Sequence, residues 1–280
     1  MTNKPLYDQV SLKCSRYITN TYSTSFSLGI KLLSKDLRSH IYNIYGFVRI
    51  ADEIVDTFYD YPNRELFDRF KEDTYWSLEN GISTNPVLNC FQDTVTKYGI
   101  DRSLIDQFLR SMEMDLNKND YNREQFNEYV LGSAEVVGLM CLKVFVYGDD
   151  DKYEELKPYA MKLGAAFQKI NFLRDIKQDM MDLGRNYFPE LEIGSLNEVS
   201  KKHIEAEIEE DFRQGMIGIK GLPKGSRFGV YLAYKYYLRL FKKISNLDAA
   251  DIMKDRIRIP DQQKASILLR SYLRHSFNLL

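Results

Sequence analysis

Cysteine, histidine, proline and glycine are all scarce in this 280-residue chain, and tryptophan occurs once. Three cysteines, Cys14, Cys90 and Cys141, are too few and too far apart for a disulfide framework or a zinc site. They read as reduced thiols in a cytoplasmic protein. His40, His203 and His275 are equally scattered, so no local pattern supports a His-based metal centre or a Ser or Cys hydrolase. With 7 prolines and 15 glycines, little punctuates the chain, which argues against a turn-rich all-β design. A charge excess is also missing. Thirty-nine Lys and Arg face 40 Asp and Glu, a formal net charge of −1, which argues against a nucleic-acid partner. The N-terminus lacks the apolar run of a signal peptide. The longest apolar stretch, Val136 to Tyr147, is broken by Lys143 and too short to span a bilayer.

What is present is a folded core's worth of aromatics, 20 Tyr and 16 Phe, set in helical periodicity without alternating strands. The pattern predicts helices near 5–19, 35–57, 64–79, 84–98, 102–116, 123–147, 152–183, 197–218, 224–245 and 261–278. Ser34 is placed to cap the second of these, Pro62-Asn63 follows its end, Gly148 separates two long helices, and Gly184 suits the position after the second. No linker is long or low-complexity enough to divide the chain. The expectation is one all-α domain over residues 1–280.

Two acidic stripes carry the chemistry. On a helix of 100° per residue, Tyr45, Arg49, Asp52 and Asp56 share a narrow face, with Glu53 at its edge. Taken alone, that face reads as the solvated side of an amphipathic helix. The second stripe, Gln168, Asn171, Asp175, Asp179 and Asp182, is harder to dismiss. Apolar side chains from Phe167 to Met181 cover most of the remaining circumference, so this helix belongs inside the fold and its carboxylates line a cleft. Lys169, Arg174 and Lys177 weaken that inference, although long basic side chains reach out from partly buried positions. Like charges one turn apart cost roughly 0.2–0.5 kcal/mol per pair on an exposed helix, and both stripes lie near helix C-termini, where the dipole already disfavours anions. Hard divalent cations explain the placement, because Mg²⁺ accepts one or two carboxylates together with water and phosphate oxygens. Arg49 and Arg185 are candidates for phosphate oxygens that the metal leaves free.

These residues resemble the squalene/phytoene synthase family of all-α, head-to-head prenyltransferases over nearly the whole chain. The markers are Tyr22-Ser-Thr-Ser-Phe26, Tyr45-x-x-x-Arg49, Asp52-Glu-Ile-Val-Asp56, Gln168-x-x-Asn-x-x-Arg-Asp-x-x-x-Asp179 and Gly184-Arg-Asn-Tyr-Phe-Pro189. The resemblance is greatest to the bacterial members that make phytoene. It implies an isoprenoid-synthase-like helical bundle around a central cavity, and Mg²⁺-dependent joining of two geranylgeranyl diphosphates, with Mn²⁺ as a substitute metal. The product would form through a cyclopropylcarbinyl diphosphate, as a carotenoid precursor and without NADPH. Asp52, Asp56, Asn171, Asp175 and Asp179 would ligate the metal; Tyr45, Arg49, Tyr237 and Arg256 would contact diphosphate. Gln168 and Tyr129 match polar positions near the reacting carbons, and either Tyr129 or released diphosphate would take the final proton. Tyr22 departs from relatives with histidine there, so a phosphate contact by that histidine does not carry over.

Carbocations need a water-free, apolar tunnel. Gly132, Ser133, Ala134 and Gly138 on one helix and Gly164, Ala165 and Ala166 on another fit its wall or, equally, close helix packing. Tyr237 is the one functional nominee of the aromatic helix 231–241, and Asp149 to Lys152 reads as a solvated turn. The basic, amphipathic segment Lys264 to Leu280 suits either docking on the domain or peripheral contact with anionic lipid. Squalene or dehydrosqualene synthesis from farnesyl diphosphate is the alternative activity, and a silent lipid-binding or assembly factor of the same fold is the alternative class. Oligomeric state is not legible.

Overall fold

Among the residues described by the computed structural model (3–117, 120–181, 184–189, 196–254, 256–260, 266–268 and 271), the chain winds into twelve α-helices. They are α1 (Lys4–Tyr22), α2 (Thr24–Lys31), α3 (Lys35–Asp56), α4 (Asn63–Asn80), α5 (Pro86–Tyr98), α6 (Arg102–Asp115), α7 (Arg123–Val130), α8 (Val136–Phe145), α9 (Asp150–Met181), α10 (Glu198–Gly221), α11 (Lys224–Ser245) and α12 (Ala249–Ile252). No strand occurs among them; one isolated bridge pairs Asp120 with Asn186. No helix among the described residues is long and apolar enough to cross a membrane.

Local chemistry explains most of the boundaries. Asn85, Asp101 and Asn197 each accept backbone N–H groups at the start of the helix they precede, and Asn122 and Gln125 cap each other's N–H groups at the start of α7. Gly81, Gly99, Gly148 and Gly184 take positive φ where helices end or turn.

Three expectations differ from the structure. The short α2 has no counterpart in the sequence reading, because eight residues show too little period. The helix expected over 123–147 is two helices joined by a π-helical turn, Leu131–Glu135. Ser34 stands before α3 but its side chain makes no cap; its hydroxyl is 3.3 Å from that of Tyr147 instead. The helix expected over 261–278, and Asp182, lie outside the described residues except for 266–268 and 271. Asp150 and Asp151 open α9, where the dipole favours them.

The core runs from Ile30 to Ile257. Phe47 stacks on Phe91 at 3.9 Å between ring centres and touches Phe70 and Phe108. Each such fully buried ring contributes about 1.5–3 kcal/mol. Helix α9 is central. Gly164 and Gly138 bring it against the π-turn and α8, since an added Cβ would sit 2.7 Å from the Ala134 carbonyl and 3.2 Å from that of Ala160. On its other side, Gly215, Gly218 and Gly221 of α10 meet Leu163, Tyr159 and Leu156 in turn. Both neighbours therefore run antiparallel to α9. Phe26 touches Tyr45, Phe167 and Tyr237, which sets α3, α9 and α11 at a common level and leaves a space between them.

Candidate active site

That space is a cavity of about 1370 Å³, counting its open mouth. Its wall is largely apolar. Tyr45, Gln168, Asn171 and Tyr237 form a polar rim at one end. The Tyr237 hydroxyl donates to Asn171 Oδ1 at 3.2 Å, and Asn171 donates to Gln168 at 3.3 Å. Phe167 stacks on Tyr237 at 4.0 Å. Burial pushes Tyr45 up to about 12, so its hydroxyl stays protonated and able to donate. Of the small residues, Ser133, Ala134, Gly138 and Gly164 line the cavity, whereas Ala165 and Ala166 are core. Gly132 packs on Ser111, where a Cβ would come within 2.5 Å.

One to three helical turns beyond the rim, on α3 and α9, stand the carboxylates. Asp52 is paired with Arg49 at 2.5 Å, and Arg49 also pairs with Glu53. The face of Tyr22 lies 4.3 Å from the Arg49 guanidinium, a cation–π contact. Asp175 is gripped by Arg174 (3.0 and 3.1 Å from Nε) and by Arg256 at 2.8 Å. Burial and the neighbouring Asp56 charge push Asp52 up to about 7, against the pull of Arg49. Burial, then Asp175 and Asp56, push Asp179 to about 8, against Arg185. Asp56 on α3 and Asp179 on α9 thus feel each other across the cleft. Lys169, left ambiguous by sequence, turns away and makes a buried ion pair with Asp211 of α10 at 2.8 Å.

Arg185 ties the two sides together. Its guanidinium pairs with Asp56 and donates to the carbonyls of Val55 and Asp115 at 3.1 Å each, while its backbone N–H donates to the Asp179 carbonyl at 2.7 Å. Burial opposes its charge, yet Asp115, Tyr187 and Asp56 hold its pKa above the usual arginine value. Asp115 is a site residue that sequence reasoning missed. It is buried at the end of α6 and accepts hydroxyls from Tyr121 (3.0 Å), Tyr129 (2.5 Å) and Tyr187 (3.1 Å). Burial pushes it up to about 7, with Arg185 opposing. Tyr129 therefore faces Asp115, and it is not among the residues lining the cavity. The available signal was a third carboxylate at a helix C-terminus, where the dipole gives no reason for one.

The donors at this pole are carboxylate and amide oxygens, the set that suits a hard cation. Among the described residues, no three His, Cys, Asp or Glu side chains converge closely enough to enclose a metal alone. Mutual repulsion between Asp56 and Asp179 supplies the electrostatic demand for a positive partner.

An all-helical bundle with an apolar cavity under two facing acidic clusters defines an isoprenoid-synthase-like fold. Residues 19–263 match the squalene/phytoene synthase family, and the chain belongs to that family of prenyltransferase-type enzymes. It is 27% identical to a phytoene synthase of Arthrospira platensis, over 94% of this chain and 93% of that one. It is 26% identical to the chloroplastic phytoene synthase 1 of Solanum lycopersicum over 89% of this chain, and the match spans 63% of that relative's length. Among solved structures, a dehydrosqualene synthase in complex with ligand superposes with a TM-score of 0.80 at 19% identity, covering 96% of this chain and 98% of that one. Squalene synthase HpnC from Alicyclobacillus acidocaldarius gives 0.74 at 20% identity, over 86% and 95% of the two chains.

Proposed function

We propose that this chain is a single-domain phytoene synthase, joining two geranylgeranyl diphosphates head to head without NADPH. The depth of the cavity carries the choice of substrate. Fifteen residues of α9 separate Asn171 at the rim from Leu156 at the blind end, a rise of about 22 Å. A geranylgeranyl chain is longer than a farnesyl chain by one five-carbon isoprenyl unit. The longer chain fills the cavity; the shorter one leaves apolar wall uncovered.

In this reading Asp52, Asp56, Asn171, Asp175 and Asp179 hold Mg²⁺, which supplies the positive charge that stabilises departing diphosphate. Arg49, Arg185 and Arg256, each already engaged with one of the carboxylates, bind the phosphate oxygens that remain. Tyr45 and Tyr237 donate from the rim. Gln168 orients the reacting carbons, and the apolar wall keeps water from the allylic cation until it is captured by the second substrate's double bond. Since Tyr129 is committed to Asp115, released diphosphate is the better-placed final proton acceptor. The enzyme would act in the cytoplasm, in peripheral contact with membrane that receives the hydrocarbon.

Incubation with each diphosphate, with and without NADPH, tests this reading. Phytoene from geranylgeranyl diphosphate alone is expected. Squalene or dehydrosqualene from farnesyl diphosphate as the dominant product would replace it, and no coupled hydrocarbon from either would remove it.

A further inference from the structure

We propose that Leu156, seated on Gly221 at the blind end of the cavity, is the stop that sets the longest prenyl chain this site accepts. The inference rests on the prenyl diphosphate reading above. Leu156 is buried and lines the cavity at its deepest level on α9. It belongs to a small hydrophobic cluster with Leu139, Leu142, Val146, Tyr153 and Leu222, distinct from the main core.

Two hydrogen bonds tie the helix ends at this level of the cavity. Ser34 N–H donates to the Gly225 carbonyl at 2.8 Å, and the Ser226 hydroxyl donates to the Phe145 carbonyl at 3.1 Å. These bonds join the start of α3, the end of α8 and the start of α11 next to the lining residues Leu33 and Phe145.

The α10 glycines single out one position. A Cβ on Gly218 would sit 2.5 Å from Tyr159 Cβ, which moves only with the backbone. Change there separates α9 from α10. A Cβ on Gly221 would instead sit 2.6 Å from Leu156 Cδ2, the free end of a flexible side chain. The cheap response is rotation of that methyl into the lumen. One added carbon at Gly221 thus shortens the cavity while leaving the helix contact in place.

Binding of non-ionising thiodiphosphate analogues by titration calorimetry tests the stop without turnover, with thermal denaturation as the check on folding. Leu156→Phe and Gly221→Ala should weaken the geranylgeranyl analogue by about tenfold or more and the farnesyl analogue by less than about threefold. Leu156→Ala should leave the farnesyl analogue, which does not reach this level, within about threefold and bind a five-unit geranylfarnesyl analogue about tenfold more tightly than the wild type. Equal losses for both chains, or no change in folded variants, overturn the stop. If Leu156→Phe does not fold, the other two variants decide. A wild type that binds both analogues but couples neither substrate removes the proposed activity and leaves the stop to the binding split; a wild type that binds neither overturns both.

Discussion

Arg185 forms an ion pair with Asp56 across 129 positions of sequence, and its own backbone N–H holds the carbonyl of Asp179. One residue therefore fixes the spacing between the acidic ends of α3 and α9. Arg185→Ala leaves Asp56 without its cation and two carbonyls without donors. Asp56 is a third exposed and keeps some water, so the loss is set mainly by the stranded carbonyls, at about 1–3 kcal/mol. We expect a loss of that order in urea unfolding, together with a fall in turnover of about a hundredfold. Arg185→Lys, which keeps charge but not the planar fork, should recover part of the stability and little of the rate. Wild-type turnover in Arg185→Ala would show that the spacing does not matter.

Asp115 makes a separate claim testable. Three tyrosine hydroxyls end on one buried carboxylate, so its removal strands several polar groups at once. Asp115→Ala should destabilise by about 3 kcal/mol or more, and Tyr129→Phe by about 1–2 kcal/mol. In a double-mutant cycle the two effects should couple by at least about 0.5 kcal/mol. Additive losses would mean that the bond between them contributes nothing.

Much of the site was written in helical spacing, because the groups that act together sit one turn apart on single helices. Tyr45 to Asp56 and Gln168 to Asp179 share faces that a period of 3.6 reveals directly. Asp115 and Tyr187 were hidden for the opposite reason: they join the site through contacts between distant segments. Arg174 and Lys169 look alike in sequence, yet one folds back on Asp175 while the other pairs with Asp211 on α10. Only the packing of α10 separates them. The depth of the cavity was equally invisible, since it depends on how far Gly215, Gly218 and Gly221 let α10 approach α9.

Metal dependence should show a specific cooperativity. With no closed cage of three acidic or imidazole ligands among the described residues, Mg²⁺ alone should change the thermal midpoint little. Inorganic diphosphate alone would meet a pole of carboxylates. Together they satisfy each other and should raise the midpoint by about 5 °C or more at saturating concentrations. Chelation should abolish turnover and this shift alike. Asp52→Asn and Asp175→Asn should each remove the joint effect, read against each variant's own unliganded midpoint. A full shift with Mg²⁺ alone would point to a preformed cation site and contradict this account.

His40 gives the fold its own pH signature, far from the cleft. Burial, and then the Lys97 charge, hold it down at about 4 against an ordinary 6.5. Its ring lies 3.0 Å from the Thr94 hydroxyl and 2.9 Å from Lys97 Nζ, with Tyr98 edge-on at 4.9 Å. The folded chain therefore keeps this ring neutral, while the unfolded chain takes up a proton near pH 6.5. The linked stability is fully present above that value and is lost as pH falls toward 4, by up to about 3 kcal/mol. Carboxylates titrate over part of the same range, so the useful quantity is the difference between wild type and His40→Gln. Urea midpoints measured from about pH 7 to pH 4.5 should fall more steeply for the wild type. Parallel curves would mean that His40 titrates alike in the folded and unfolded chains and that its burial carries no pH cost.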